Sequence, residues 1–492
     1  MTVNSTGITS FGGPIAAASL TTNAGGTTEL GGDVMTTGAA GQVYGNNVTT
    51  LGNLTLTGDE LSFGGTVTGS GLLTLQPANL NTPVTLGNAT EIGVGTLDIT
   101  AADLAAFQGF TALTVGRGDG NGAISSTNLS LTVPTTIQSG NGSITLAQVN
   151  GAQPLTVNST NGTLALSGAV GNITPLSSLT VNTAGIVTLG NAMTTNGPDG
   201  VAIAGTGGIN LTGPVTINSS TGNGAIALIG EVDGNFPLTL TSGNGTVTLP
   251  AIGTTTPISS LTVDSINTAQ LTGSITTQGV SGVTVNAPVT VASPITLDTT
   301  MGNGPINLTG TVDGTFPLTL TAGTGDVRFT ETVGGISPLT QLTIAGGILE
   351  TGDLNIGSGG INLTGSNITL NTVNTTGGGT LAINNTGTLN LAGLLNLAGF
   401  FSQTGTGTVI LGNNLTTANQ NISFNSPVNL TGTPVISAGT GSLSFNNTLN
   451  AGTGNLNLTA NEMQFSGAIS GTGLVFLSPG SSDRNIQIGG TL

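Results

Sequence analysis

The chain has 492 residues, of which 83 are Gly; 20 are acidic, three are basic (Arg117, Arg328 and Arg484), and there is no Lys, His or Cys. A net charge of −17 argues against nucleic acid as a partner, because affinity there comes mainly from Lys and Arg meeting phosphates, and equally against anionic membrane surfaces. Without Cys or His there is no disulfide framework, no ordinary zinc site and no Ser-His or Cys-His catalytic pair.

Charged residues make up 5% of the chain, against roughly 25% in ordinary soluble proteins. A globular fold with so few charges is hard to keep in solution. A chain that repeats one thin cross-section manages with Thr, Asn and Ser facing water. There is no apolar run of about 18 residues to cross a membrane as a helix. The opening "MTVNSTGITSFGG" lacks the basic region and apolar core of a signal peptide.

In chain order, "SLTTNAGGTTELGGDVMTTG" (19–38) parallels "SLTVNTAGIVTLGNAMTTNG" (178–197), so the first forty residues read as a partial repeat. "GNLTLTGDELSFGGTVTGSGLLTLQP" (52–77) returns without gaps as "GNLNLTANEMQFSGAISGTGLVFLSP" (454–479), pairing Glu60 with Glu462, Phe63 with Phe465 and Pro77 with Pro479. Asp59 and Glu60 are adjacent, but neighbours on a strand point to opposite faces, so they do not converge as an acid/base pair. The recurring Glu reads instead as a structural position that bonds backbone at a coil corner.

"LDITAADLAAFQGF" (97–110) breaks the strand pattern. Thr100 and Asp103 stand at capping-box spacing ahead of helix formers, which predicts a short helix at 101–108. Arg117-Gly118-Asp119 then spells an integrin-type motif within "GRGDGNG"; the plainer reading is a Gly-rich turn. Asp119 and Asn121 offer oxygens that a calcium ion could use, but one Asp is thin for that, and the tandem Gly-Gly-x-Gly-x-Asp nonapeptide is absent.

From 139 to 350 a unit of about 80 residues repeats, with segments at about 139–220, 221–300 and 301–350. "VDGNFPLTLTSGNG" (232–245) and "VDGTFPLTLTAGTG" (312–325) are near copies, as are "GNITPLSSLTV" (171–181), "GTTTPISSLTV" (253–263) and "GGISPLTQLTI" (334–344). Asp233 and Asp313 open the "VDG" turns, and turn formation accounts for both. Within each unit, "PLTLT", "INLTG" and "LTV" alternate apolar with small polar residues at period two, and "SGNG", "STNG" and "AGTG" supply turns. Strands recurring about every ten residues without intervening helices, inside a long repeat, favour a solenoid of stacked coils over a sandwich or barrel. About four coils of 20 residues would make one unit. The closing "RNIQIGGTL" reads as the start of a further unit, so the whole chain reads as one continuous solenoid fragment, 1–492, of a longer array.

"MTVNSTGITSFGG", "SLTTNAGGTTELGGDVMTTG" and "LDITAADLAAFQGFTALTVGRGDGNGAI" resemble the repeats of very large bacterial β-strand-repeat exoproteins, similar to filamentous haemagglutinins and autotransporter passenger domains. The resemblance covers nearly the whole chain. It implies an all-β fold, a right-handed parallel β-helix (solenoid), with one helical excursion near 101–108. It further implies export through an outer-membrane secretion pore, by two-partner secretion or autotransport, to the cell surface or medium, and a role in cell adhesion. It supplies no binding residue, and the amino-terminal secretion domain of that family is missing from this sequence.

The expected function is therefore that of an extracellular, non-enzymatic, adhesive repeat segment without cofactor or metal. It would meet host or environmental surfaces, glycans or other cells through weak multivalent contacts. The alternatives are a pure stalk, and beyond it an ice-binding or polysaccharide-active β-helix. Polysaccharide-cleaving β-helices cluster carboxylates with Lys, Arg or His, whereas here Lys and His are absent and the acids are scattered. Thr-x-Thr pairs, as in "TLT", suit an ice-ordering array, but outward Thr is also what strands favour. Asn-x-Ser/Thr sequons such as those at Asn4 and Asn158 arise from composition in so Asn- and Thr-rich a chain.

Overall fold

A computed structural model describes residues 1–93 and 95–484; the closing segment read above as the start of a further unit lies outside them, apart from Arg484. The chain falls into two compact units, Met1–Val247 and Thr248–Leu492. Each is a parallel β-solenoid: its strands pair in parallel with strands one coil before and one coil after, in three ladders.

In the first unit, one ladder runs through Thr135–Ser139, Leu155–Ser159, Leu176–Thr183 and Met193–Gly205 to Ile226–Ile229. A second runs through Ile144–Leu146, Leu164–Leu166, Val187–Leu189 and Ile209–Leu211. The third passes from Val149–Asn150 by way of Val170 and Met193 to Val215–Asn218 and Pro237–Gly243. In the second unit, Ser260–Ser265, Val283–Asn286, Ile306–Leu308 and Val327–Phe329 form one such ladder.

The period-two alternation sets which side chains go inward. In Leu155–Ser159 the odd positions are buried and the even ones face out, and Leu318–Thr321 alternates likewise. The core is a stack of Leu, Val and Ile rungs, most of them without measurable exposure. In the second unit it carries an aromatic ladder. Phe401 and Phe424 lie 4.9 Å apart, Phe424 and Phe445 stack at 5.2 Å, and Phe445 and Phe465 stack at 5.7 Å.

Buried amides satisfy the corners. Gln403 donates to Asn385 Oδ1, the Gly405 carbonyl and Ser426 Oγ, and its own oxygen accepts from the Asn425 and Ser426 amides. In the first unit the Tyr44 hydroxyl, its pKa pushed up by burial, donates to Gln42 Oε1 at 2.9 Å. Turns stack as tightly as strands: a Cβ on Gly142 would lie 2.0 Å from the Gly122 carbonyl oxygen, so only glycine fits that rung.

The repeat and the coil are out of step. The "PLTV" strand Leu155–Ser159 belongs to the first ladder, whereas its near copy Pro237–Gly243 belongs to the third. The same slip occurs in the second unit. Leu261 stands in the ladder with Val283, Ile306 and Val327, but its copy Leu342 pairs with Leu318 and Ile361 in another. One repeat is thus three coils and two further sides, not the four coils expected. Coils here run longer than 20 residues: Leu155 meets Leu179, and Val201 meets Ile226.

The helix is present as Ala101–Ala106, two residues shorter than expected. The capping box is complete: Thr100 Oγ1 accepts from the Asp103 amide at 3.2 Å, and Asp103 Oδ2 accepts from the Thr100 amide at 2.8 Å. Phe107 ends the helix because its ring is needed inside, edge-on to Phe63 at 5.3 Å. Phe107–Gln108 then pair as strand with Val67–Thr68.

Candidate functional site

Three surface features of the first unit carry functional groups. At the first, Arg117-Gly118-Asp119 folds back on itself. Arg117 Nε and Nη2 donate to the two carboxylate oxygens of Asp119 at 2.9 and 3.0 Å, while Nη1 donates to the Pro77 and Ala78 carbonyls at 3.2 Å each. The guanidinium holds the exposed Asp119 carboxyl below the ordinary range. Both oxygens offered to calcium are therefore turned to Arg117. Asn121, the other candidate ligand, donates through Nδ2 to Asn81 Oδ1 at 3.2 Å and accepts from Asn141 Nδ2 at 2.9 Å, and Asn161 continues the series by donating to Asn141. The structure makes Asn121 a rung of a stacked amide ladder. Among the described residues there is no group of three or more potential metal-ligating side chains.

Carboxylates gather around the helix at the second feature. Asp98, fully buried, accepts from the Thr85 hydroxyl and from the Ile92 and Gly93 amides, at 2.8 and 3.3 Å for the latter two. Asp103 is spent on the capping box, and burial raises its pKa against the opposing pull of the Thr100 bonds. Burial, followed by the charges of Asp98 and Asp103, raises the Glu60 carboxyl. Glu91, on the loop before the helix, is pushed up to about 7 by partial burial, then by Glu60, Asp103 and Asp98. This gathering was not visible in the sequence, because residues 31 positions apart meet only through the coil stack.

The backbone-bonding position of the long echo is not Glu60 but its neighbour. Asp59 Oδ1 accepts from the Ala78 and Asn79 amides at 2.9 and 3.0 Å. Asn461, the counterpart of Asp59, accepts in the same way from Ser481 N at 3.0 Å. The "VDG" aspartate also does more than make a local turn: Asp313 Oδ1 accepts from the Ile336 and Ser337 amides in the next coil, at 2.8 and 3.0 Å. Asn150, in the earlier "VNG", holds Ile173 and Thr174 the same way.

The third feature is an open, uncharged trough of about 430 Å³ along one corner of successive coils. One wall stacks Gln138, Asn158, Asn182 and Ala204; the other carries Thr160, Ala184 and Thr206, with Gly118 at its end. Between the walls, Ser139, Ser159 and Thr183 turn inward and donate to the Gly120, Gly140 and Gly162 carbonyls at 3.3, 3.2 and 2.8 Å. No ionisable side chain lines it. Its trace in the sequence is the recurrence of "QSGNG" (138–142) and "NSTNG" (158–162) one coil apart.

Comparison of the chain with protein-family models, with curated proteins and with solved structures gave no match. Its fold places it among parallel β-solenoids.

Proposed function

We propose that the chain is an extracellular, non-enzymatic repeat segment of a large bacterial surface or secreted adhesin. The observation that carries this reading is a concave, uncharged trough to which successive coils contribute side-chain amides and hydroxyls. Such a surface gains little from any single contact and much from many in parallel. Carboxylates that approach one another do so where Asp98 and Asp103 are taken up in holding backbone, which supports a structural rather than a catalytic part for them. Arg117-Gly118-Asp119 serves its own corner in this reading.

A stalk is the second reading, favoured by outward amides that bond along the stack. Asn374 donates to Asn355, and Asn396 to Asn374, at 3.0 and 3.3 Å, which stiffens the array without leaving those groups for a partner. Beads coated with residues 1–492, offered to mammalian cells, bacterial cells and polysaccharide films, separate the two. Saturable adhesion supports the adhesive segment; adhesion no greater than that of uncoated beads leaves the stalk. Loss of adhesion to cells in Asp119→Ala would return the integrin-type motif to the list.

A further inference from the structure

We infer that the trough between Asn158 and Thr160 is a binding site for a stretch of uncharged polysaccharide lying along the coil stack. This rests on the adhesive reading and gives it a location and a ligand chemistry.

A planar side-chain amide presents a donor and an acceptor side by side, which suits the neighbouring hydroxyls of a sugar ring. Asn182 Nδ2 donates to Asn158 Oδ1 at 3.0 Å, and Gln138 Nε2 donates to the Gly116 carbonyl at 3.3 Å. These bonds fix the planes of the amides. Asn182, Thr160 and Thr206 are exposed along the trough, and Gln138 and Asn158 are half-buried. Rungs repeat at ~4.8 Å, about the step of one sugar unit in an extended chain, so a polymer along the stack meets an amide at Gln138, Asn158 and Asn182 in successive coils.

The trough is also rigid. The inward hydroxyls of Ser139, Ser159 and Thr183 tie the floor to the turn carbonyls of the preceding coil. Little ordering is left to be done on binding, which is the usual cost for a polar ligand held by weak bonds.

Charge and shape narrow the ligand. No ionisable side chain lines the trough, and at its Gly118 end Arg117 and Asp119 neutralise each other. An anionic polymer finds no cation to hold it. An extended peptide is served poorly too: strand addition needs an open sheet edge, and strand backbone here is already bonded to coils on both sides.

Electrophoresis of the full chain through gels containing a neutral β-glucan, a galactomannan or a dextran tests this, with alginate and an unfolded polypeptide as the other two arms. Thr160→Arg fills the trough. Thr364→Arg places the same charge on an exposed strand position of the second unit. Asn182→Ala removes one amide, and melting of each variant checks that it is folded. The expected result is retardation by at least one neutral polysaccharide, weakened about tenfold by Thr160→Arg, several-fold by Asn182→Ala, and unchanged by Thr364→Arg.

Equal retardation of the wild type and folded Thr160→Arg overturns the location while leaving the adhesive reading standing. Retardation by alginate or polypeptide alone overturns the ligand class. Absence of retardation in every neutral gel overturns the inference, whereas the adhesive reading itself fails only if coated beads also do not adhere.

Discussion

Phe424→Ala is the sharpest test of the packing argument. Phe424 is fully buried, and its ring lies 4.9 Å from Phe401 and 5.2 Å from Phe445, nearly parallel to the latter. Removing it costs the transfer energy of the ring and leaves a cavity, about 3–5 kcal/mol together, and it breaks two ring pairs worth about 0.5–1.5 kcal/mol each in their own right. A total of at least about 4 kcal/mol is about a thousandfold or more in an opening equilibrium. Because each coil of a solenoid touches only its neighbours, the loss should stay local. Amide exchange should accelerate by about that factor in Phe401–Gln403, Ile422–Phe424 and Ser442–Phe445, while Val283–Asn286 of the same unit exchanges as in the wild type. Phe424→Leu, keeping most of the apolar volume, should cost about 1–2 kcal/mol. Less than tenfold acceleration in Phe424→Ala, or acceleration spread evenly over the second unit, would refute the reasoning.

The segment around the helix should respond to pH. Glu91 titrates at about 7 when folded and near 4.5 when free, so the folded state is penalised progressively as pH rises from 4.5 to 7 and fully above that. Proteolysis of the loop at 88–93 should be faster at pH 8 than at pH 5, and Glu91→Gln should flatten the difference; an equal pH effect in the variant would remove Glu91 from the account. Thr195 is fully buried, and its hydroxyl has no partner among the described residues. Thr195→Val should leave stability unchanged or raise it by about 1 kcal/mol in thermal melts, and a clear drop would mean that the hydroxyl is satisfied after all. Asp313→Asn should be tolerated, since Asn150 serves the same place; Asp313→Ala should cost about 1–2 kcal/mol and loosen the loop at 334–337, read as faster amide exchange there. Equal behaviour of the two variants would deny the inter-coil cap.

Much of the fold was legible because it depends on short-range chemistry. Period two along "PLTLT" told which side chains point inward, and Thr100 with Asp103 announced a helix start from three residues apart. Its end was misjudged because Phe107 obeys the core, through Phe63, rather than helix propensity. Asp313 was read as a local turn residue since its real partners, Ile336 and Ser337, lie in the following coil. Glu60 was credited with the backbone bonds that Asp59 makes, an ambiguity that neighbouring acids leave until side-chain direction is known. The trough left only a faint trace, two similar five-residue stretches one coil apart.

The sequence by itself determined the strand alternation, the turns, the repeat and the absence of the residues that most catalysis and metal binding need. Tertiary structure alone decided what stacks on what. Coil length varies from turn to turn, as the pairs Thr135 with Leu155 and Val201 with Ile226 show, and that length is not written in any local pattern. It is set by how many residues each corner needs to keep its apolar rung above the one below. The variation accumulates until near-identical stretches such as "PLTV" and "PLTL" stand on different faces, Gln138, Asn158 and Asn182 fall into line as one wall, and Arg117 meets the carbonyls of residues 77 and 78.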